Sequence, residues 1–135
     1  MTKNFAILIA GVIIIIVILI LLFSRQNDNN KYLKRVTRSM YVYSVFTPNY
    51  TYKTVREFEC ISLDYYNSVN EDMTQEDFEK VTKTYILALN ELQLESDYTL
   101  IETTQRELIF EFMESIALEY GLVVDDEFTL QYREW

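Results

Sequence analysis

The sequence predicts a mainly α-helical protein: one N-terminal transmembrane helix followed by a small helical bundle, with a short two-stranded element left open as an addition. Three observations carry that prediction. Phe5 to Phe23 form nineteen consecutive positions without a charged or polar side chain, close to the ~20 residues with which a helix crosses a bilayer. Beyond that run, apolar residues recur three and four positions apart, the helical period. Two glycines and one proline in the whole chain leave little of the turn chemistry on which a domain of many hairpins depends.

At ~1.5 Å rise per residue the apolar run reaches ~28 Å, near the hydrocarbon thickness, with every backbone group paired inside the helix. A cleaved signal peptide fits less well. Signal cores run ~7–15 residues and end in a small-x-small site, whereas this run passes into Phe23-Ser24-Arg25-Gln26. Gly11, with Ala6 and Ala10, is the small-residue face of the span; lipid-facing filler is the simpler reading of it and helix–helix contact the sharper one. The expected division is an anchor over residues 1–23, a basic juxtamembrane stalk over 24–40 and an acidic, mostly helical domain over 41–135.

The net charge of −9 conceals that asymmetry. Residues 24–56 carry Arg25, Lys31, Lys34, Arg35, Arg38, Lys53 and Arg56 against Asp28 alone, and twenty acids against four bases follow from residue 57 onward. Cations close behind a span bias that side toward the cytoplasm and find anionic headgroups there. Arg25, Lys31, Lys34, Arg35 and Arg38 are therefore the expected lipid-headgroup contacts, and a cytoplasmic head is favoured over an exoplasmic one.

Along the chain, 24–31 reads as a short polar linker or as the frayed end of the membrane helix. Tyr32, Leu33, Val36 and Met40 then recur at helical spacing among cations. Two readings fit: a helix lying on anionic lipid, or the first helix of the domain with its apolar stripe on the core. Residues 41–46 alternate and read as a strand or as continued helix. Thr47-Pro48-Asn49 breaks the chain, since proline removes a donor and disfavours helix before it.

Three helices follow. The first opens on the Thr54-x-x-Glu57 capping pattern, presents Val55, Phe58, Ser62, Tyr65 and Val69 on one face, and ends near Asn70. The second starts at Thr74-x-x-Asp77 and carries Phe78, Val81, Tyr85, Leu89 and Leu92. The third carries Leu100, Ile101, Thr104, Leu108, Ile109, Phe112, Ile116 and Tyr120 before Gly121, a left-handed stop. In the tail, Phe128, Leu130 and Tyr132 alternate, which predicts a short strand pairing with 41–46.

The chemistry is mostly exclusion. There is no histidine and one cysteine, which removes Cys/His zinc sites, the commonest general base and any internal disulfide. Cys60 reads as a buried apolar filler. The Asp125-Asp126-Glu127 triplet lacks the spaced ligands and glycine of a calcium loop, no glycine-rich phosphate loop exists, and an acidic head repels nucleic acid. No cofactor, small-molecule substrate or enzymatic activity is expected. The expected function is a membrane-anchored binding module whose acidic head captures a basic protein, through Glu107, Glu111, Glu114, Asp125, Asp126 and Glu127, with charge complementarity steering the encounter. Immunity proteins that neutralise basic bacterial toxins offer an analogy of charge and size. The alternative is a single-span accessory subunit of a larger membrane complex.

Overall fold

A computed structural model describes residues 13–16 and 31–135 of the chain, which divides into two compact units, Met1–Lys31 and Tyr32–Trp135. In the first unit residues 13–16 are helical, and Ile13, Ile14, Ile15 and Ile16 are 49–59% exposed. The rest of the expected span, including Phe5, Gly11 and Phe23, lies outside the described residues, as does Arg25. Among the described residues no helix is long and apolar enough to cross a membrane.

The second unit is a helical bundle. Residues 31–44 form α1, followed by α2 (Tyr52–Ser68), α3 (Gln75–Glu95), α4 (Thr103–Glu119) and a single-turn α5 (Asp126–Leu130). No strand occurs among the described residues, which corrects the expectation of a strand pair. Residues 41–44 complete α1 instead, and Val45 and Phe46 form the turn that follows. In the tail Asp125 caps α5, its Oδ1 accepting from Glu127 N at 3.0 Å. The alternation of Phe128 and Leu130 was therefore one turn of helix, in which Thr129 is the buried residue and Leu130 faces out.

Helix α1 follows the second reading of its sequence, the first helix of the domain with its apolar stripe on the core. Leu33, Val36 and Met40 are buried in the common core while Lys34, Arg35 and Arg38 face solvent. From Tyr32 on, the segment expected to be a stalk is part of the head. Gln105 ties α1 to α4: its amide donates to Ser39 Oγ at 2.9 Å, and its carbonyl accepts from Glu102 N at 3.2 Å, closing the start of α4.

Helix α2 starts one turn earlier than expected. Thr51, not Thr54, is the N-cap, and Thr54 Oγ1 accepts from Thr51 N at 3.3 Å. The expected apolar face holds throughout, with Val55, Phe58, Ser62, Tyr65 and Val69 all buried. The start of α3 is as expected: Thr74 Oγ1 accepts from Asp77 N at 3.2 Å and its hydroxyl donates to Asp77 Oδ2 at 2.8 Å. The expected stop after α4 is also present. Gly121 has φ +68, and Leu122 N reaches back to Ala117 O at 2.8 Å.

Between α3 and α4 the backbone turns through two left-handed non-glycine residues, Asp97 (φ 54) and Tyr98 (φ 58), a conformation that L side chains disfavour. A buried side chain holds the turn in place. Gln93 donates from Nε2 to Ile101 O at 3.1 Å and accepts from Ile101 N at 2.8 Å. Gln93→Leu keeps the bulk but leaves both polar groups of buried Ile101 unpaired. The expected cost is ~2–4 kcal/mol, read as a lower urea midpoint at unchanged slope.

Candidate functional site

A groove between α2 and α3 is a feature among the described residues that could hold another molecule. It consists of two adjoining concavities of about 380 and 460 Å³ that share Ile61 and Ala88. Ala88 is the shortest of the α3 side chains that line it. Val81 and Leu92 extend the apolar floor in the two directions.

Tyr65 and Tyr85 stiffen one end. Their rings stack at 4.3 Å with planes 4° apart, and Phe112 meets both edge-on at 6.3 and 6.4 Å. Each hydroxyl is paired inside the protein, Tyr65 with Thr82 Oγ1 at 3.0 Å and Tyr85 with Ser62 Oγ at 2.9 Å. A buried phenol without a partner would be costly, so these pairs let polar rings serve as wall material.

Burial disfavours the charged phenolate, which pushes Tyr65 and Tyr85 well above the ordinary tyrosine range and Tyr50 up to about 12. All three are raised in the folded state, so their contribution is complete below the unfolded value near 10 and is lost as pH rises toward the folded values. Stability is therefore expected to fall from about pH 10 upward, where all three phenols ionise in the unfolded chain but stay neutral in the folded one; the loss from Tyr50 is complete near pH 12, and that from Tyr65 and Tyr85 continues beyond it. Tyrosinate absorbance followed alongside helical circular dichroism checks this: a late, cooperative group of phenolates should appear together with loss of helix.

The rim is acidic. Glu57, Asp64, Glu91 and Glu95 line the groove against Lys53 and Arg56. Both cations already have partners, Lys53 with Glu57 at 3.7 Å and Arg56 with Glu59 at 3.3 Å. Asp64, Glu91 and Glu95 have no ion pair within the described residues. An apolar floor with uncompensated carboxylates beside it is complementary to a segment that presents apolar and cationic side chains together. Cys60, expected in the core, is exposed and lines this rim instead.

None of the six acids singled out from sequence lines the groove. Glu107 and Glu114 are exposed on α4, and Glu127 is exposed on α5. The other three serve internal contacts: Glu111 Oε2 pairs with Arg35 at 2.7 Å, Asp125 caps α5, and Asp126 Oδ1 lies 3.4 Å from Arg133. Of the expected headgroup cations, Lys31, Lys34 and Arg38 are exposed, and Arg35 is held by Glu111. Asp64, Glu91 and Glu95 escaped sequence reasoning because many acids look alike until α2 and α3 are paired. The available signal was Glu91 and Glu95, one turn apart on α3 and interleaved with Ala88 and Leu92.

Among the described residues no group of three or more histidine, cysteine, aspartate or glutamate side chains is placed to hold a metal ion. No protein-family model, curated protein or solved structure matches the chain.

Proposed function

We propose that the chain is a membrane-anchored binding module whose acidic helical head captures a basic protein partner in the α2–α3 groove. The single observation that carries this reading is an open apolar floor beside Asp64, Glu91 and Glu95, three carboxylates without an ion pair among the described residues. Such a site takes a basic amphipathic segment, with apolar anchors on Ile61 and Val81 and cations over the rim. Clustered carboxylates also raise the encounter rate through long-range attraction, at the cost of salt sensitivity.

Anchoring is supported by the nineteen-residue apolar run and by the isoleucine quartet at 13–16, helical with every side chain exposed. Outward isoleucines on consecutive helical positions call for an apolar solvent on all sides. The excess of cations behind the run favours a head on the cytoplasmic side. An immunity-type inhibitor of a basic toxin is one form this module takes. A structural accessory subunit is the second reading, favoured by other exposed apolar side chains on the head, among them Leu87, Leu94 and Leu118.

Affinity capture of the full chain in mild detergent, run in parallel with the Asp64→Lys, Glu91→Lys, Glu95→Lys variant, separates the two. Capture predicts one basic partner, released by high salt and absent with the variant. Several integral-membrane partners that survive salt and are indifferent to the substitutions would favour the subunit reading and sink capture in this groove.

A further inference from the structure

From residue 31 to residue 56 the chain carries six cations and no carboxylate, although the remainder of the head is strongly acidic. The same stretch holds the most exposed aromatic side chain described, Phe46 at 80%, beside Val45 at 77%. Val42, Tyr43 and Tyr52 are exposed with them.

This knuckle is built rather than loose. Phe46 N and Thr47 N both donate to Tyr43 O, at 2.9 and 3.0 Å, and Val45 N donates to Val42 O at 3.3 Å. Tyr41 and Tyr52 stack at 4.9 Å across the base, and the Tyr50 hydroxyl donates to Met40 O at 3.3 Å, fastening the returning part of the loop to α1. An ordered turn is thus holding its largest apolar side chains in water, where their exposure is unfavourable. Arg38 lies one turn before Val42 on α1, and Lys34 one turn before Arg38, on the helix face that the core leaves free. Neither makes an ion pair with a described residue.

We infer that the knuckle Val42–Phe46, with Tyr52, docks into the headgroup layer of an anionic bilayer while Lys34 and Arg38 meet its phosphates and carboxylates. Charge selects this occupant. Arg35, Lys53 and Arg56 are matched by Glu111, Glu57 and Glu59, which leaves Lys34 and Arg38 without an ion pair to a described residue; they repel the basic partner proposed for the α2–α3 groove, whereas an anionic leaflet attracts them and accepts the apolar tip at interfacial depth. Chain length agrees: the eight residues from Phe23 to Lys31 extend at most ~3.3–3.6 Å each, so a head tethered by the apolar run never leaves the neighbourhood of the surface. The inference rests on the anchored reading, and it adds an orientation to the head: α1 to the lipid, with the knuckle as the inserted element.

The test uses the full chain in the Cys60→Ser background, placed in lipid nanodiscs of phosphatidylcholine with or without phosphatidylserine. A nitroxide is attached in turn at Val45→Cys, Leu118→Cys and Ile14→Cys. Electron paramagnetic resonance then compares access by oxygen, which partitions into lipid, with access by a water-soluble nickel chelate. Docking predicts that the Val45 label becomes shielded from nickel on phosphatidylserine discs only, while the label at Leu118 stays in water on both. Removing the charge of Lys34 and Arg38 should lower the docked-to-free ratio by a factor of ~5 per cation, and Lys34→Glu with Arg38→Glu by more. A Val45 label that stays in water on phosphatidylserine discs while Ile14 is lipid-embedded overturns docking and leaves the anchor standing. A Val45 label shielded equally on both discs, or indifferent to the charge reversals, overturns docking by charge. An Ile14 label in water removes the anchor and docking together.

Discussion

Phe112→Ala is expected to destabilise the head by ~3–5 kcal/mol, a large share of the ~5–15 kcal/mol that holds a domain of this size folded. Phe112 is 1% exposed and stands edge-on to both stacked tyrosines, at 6.3 Å from Tyr65 and 6.4 Å from Tyr85. Its removal leaves a cavity where α4 meets the α2–α3 pair, and it takes away aromatic contacts worth ~0.5–1.5 kcal/mol each beyond simple burial. Urea unfolding followed by circular dichroism checks the magnitude. The damage should extend to the groove, because Tyr65 and Tyr85 form its wall. A loss below ~1 kcal/mol would mean that the rings do not pack as one cluster.

Reversing Asp64, Glu91 and Glu95 to lysine is expected to weaken capture of a basic partner by ~10²-fold or more, because each substitution removes an attraction and introduces a repulsion in the same place. Stability should change by only a few tenths of a kcal/mol per site, since all three side chains are exposed and none makes an ion pair with a described residue. This separation of binding from stability distinguishes a recognition surface from a scaffold. Reversal of Glu107 and Glu114 on α4, outside the groove, serves as the comparison. If those changes weaken capture as much, the acidity of the whole head, rather than the groove, accounts for binding. The Asp64, Glu91, Glu95 effect should shrink toward high salt, because exposed charges are screened over ~10 Å at 0.1 M ionic strength.

Much of the fold was legible where one helix face could be followed over several turns. Val55, Phe58, Ser62, Tyr65 and Val69 repeat at spacings of three and four and all reach the core. Thr74 with Asp77 and Gly121 marked boundaries through local chemistry that needs no tertiary context. Short segments were another matter. Over five residues an alternation such as Phe128, Leu130, Tyr132 fits a strand or one turn of helix equally, and the cap at Asp125 decides for the helix. Likewise the Thr54-x-x-Glu57 pattern marks a start for α2 one turn too late; the structure places the cap at Thr51, with Thr54 as the N3 residue that closes the capping box.

The candidate site was scarcely legible, and the reason is geometric. A groove belongs to a pair of helices, and nothing in the separate sequences of α2 and α3 says that Ile61 faces Ala88 or that Asp64 shares a rim with Glu91. Local acid density drew attention to α4 and the tail, where three of six acids turned out to serve Arg35, Arg133 and the α5 cap. Cys60 misled for the same reason: its apolar character fits a core, yet its position on α2 is at the groove rim, beyond the buried stripe.

That position makes Cys60 the most direct reporter on the central proposal, capture of a basic partner in the groove. As the single cysteine of the chain, it accepts a maleimide-linked photo-crosslinker without other substitutions. Illumination of the labelled full chain in native membranes should trap one basic protein. The crosslink should fade as salt is raised and disappear with Asp64→Lys, Glu91→Lys and Glu95→Lys. Crosslinks that are confined to integral-membrane proteins, or that persist unchanged at high salt and in the reversed variant, would contradict capture by the groove.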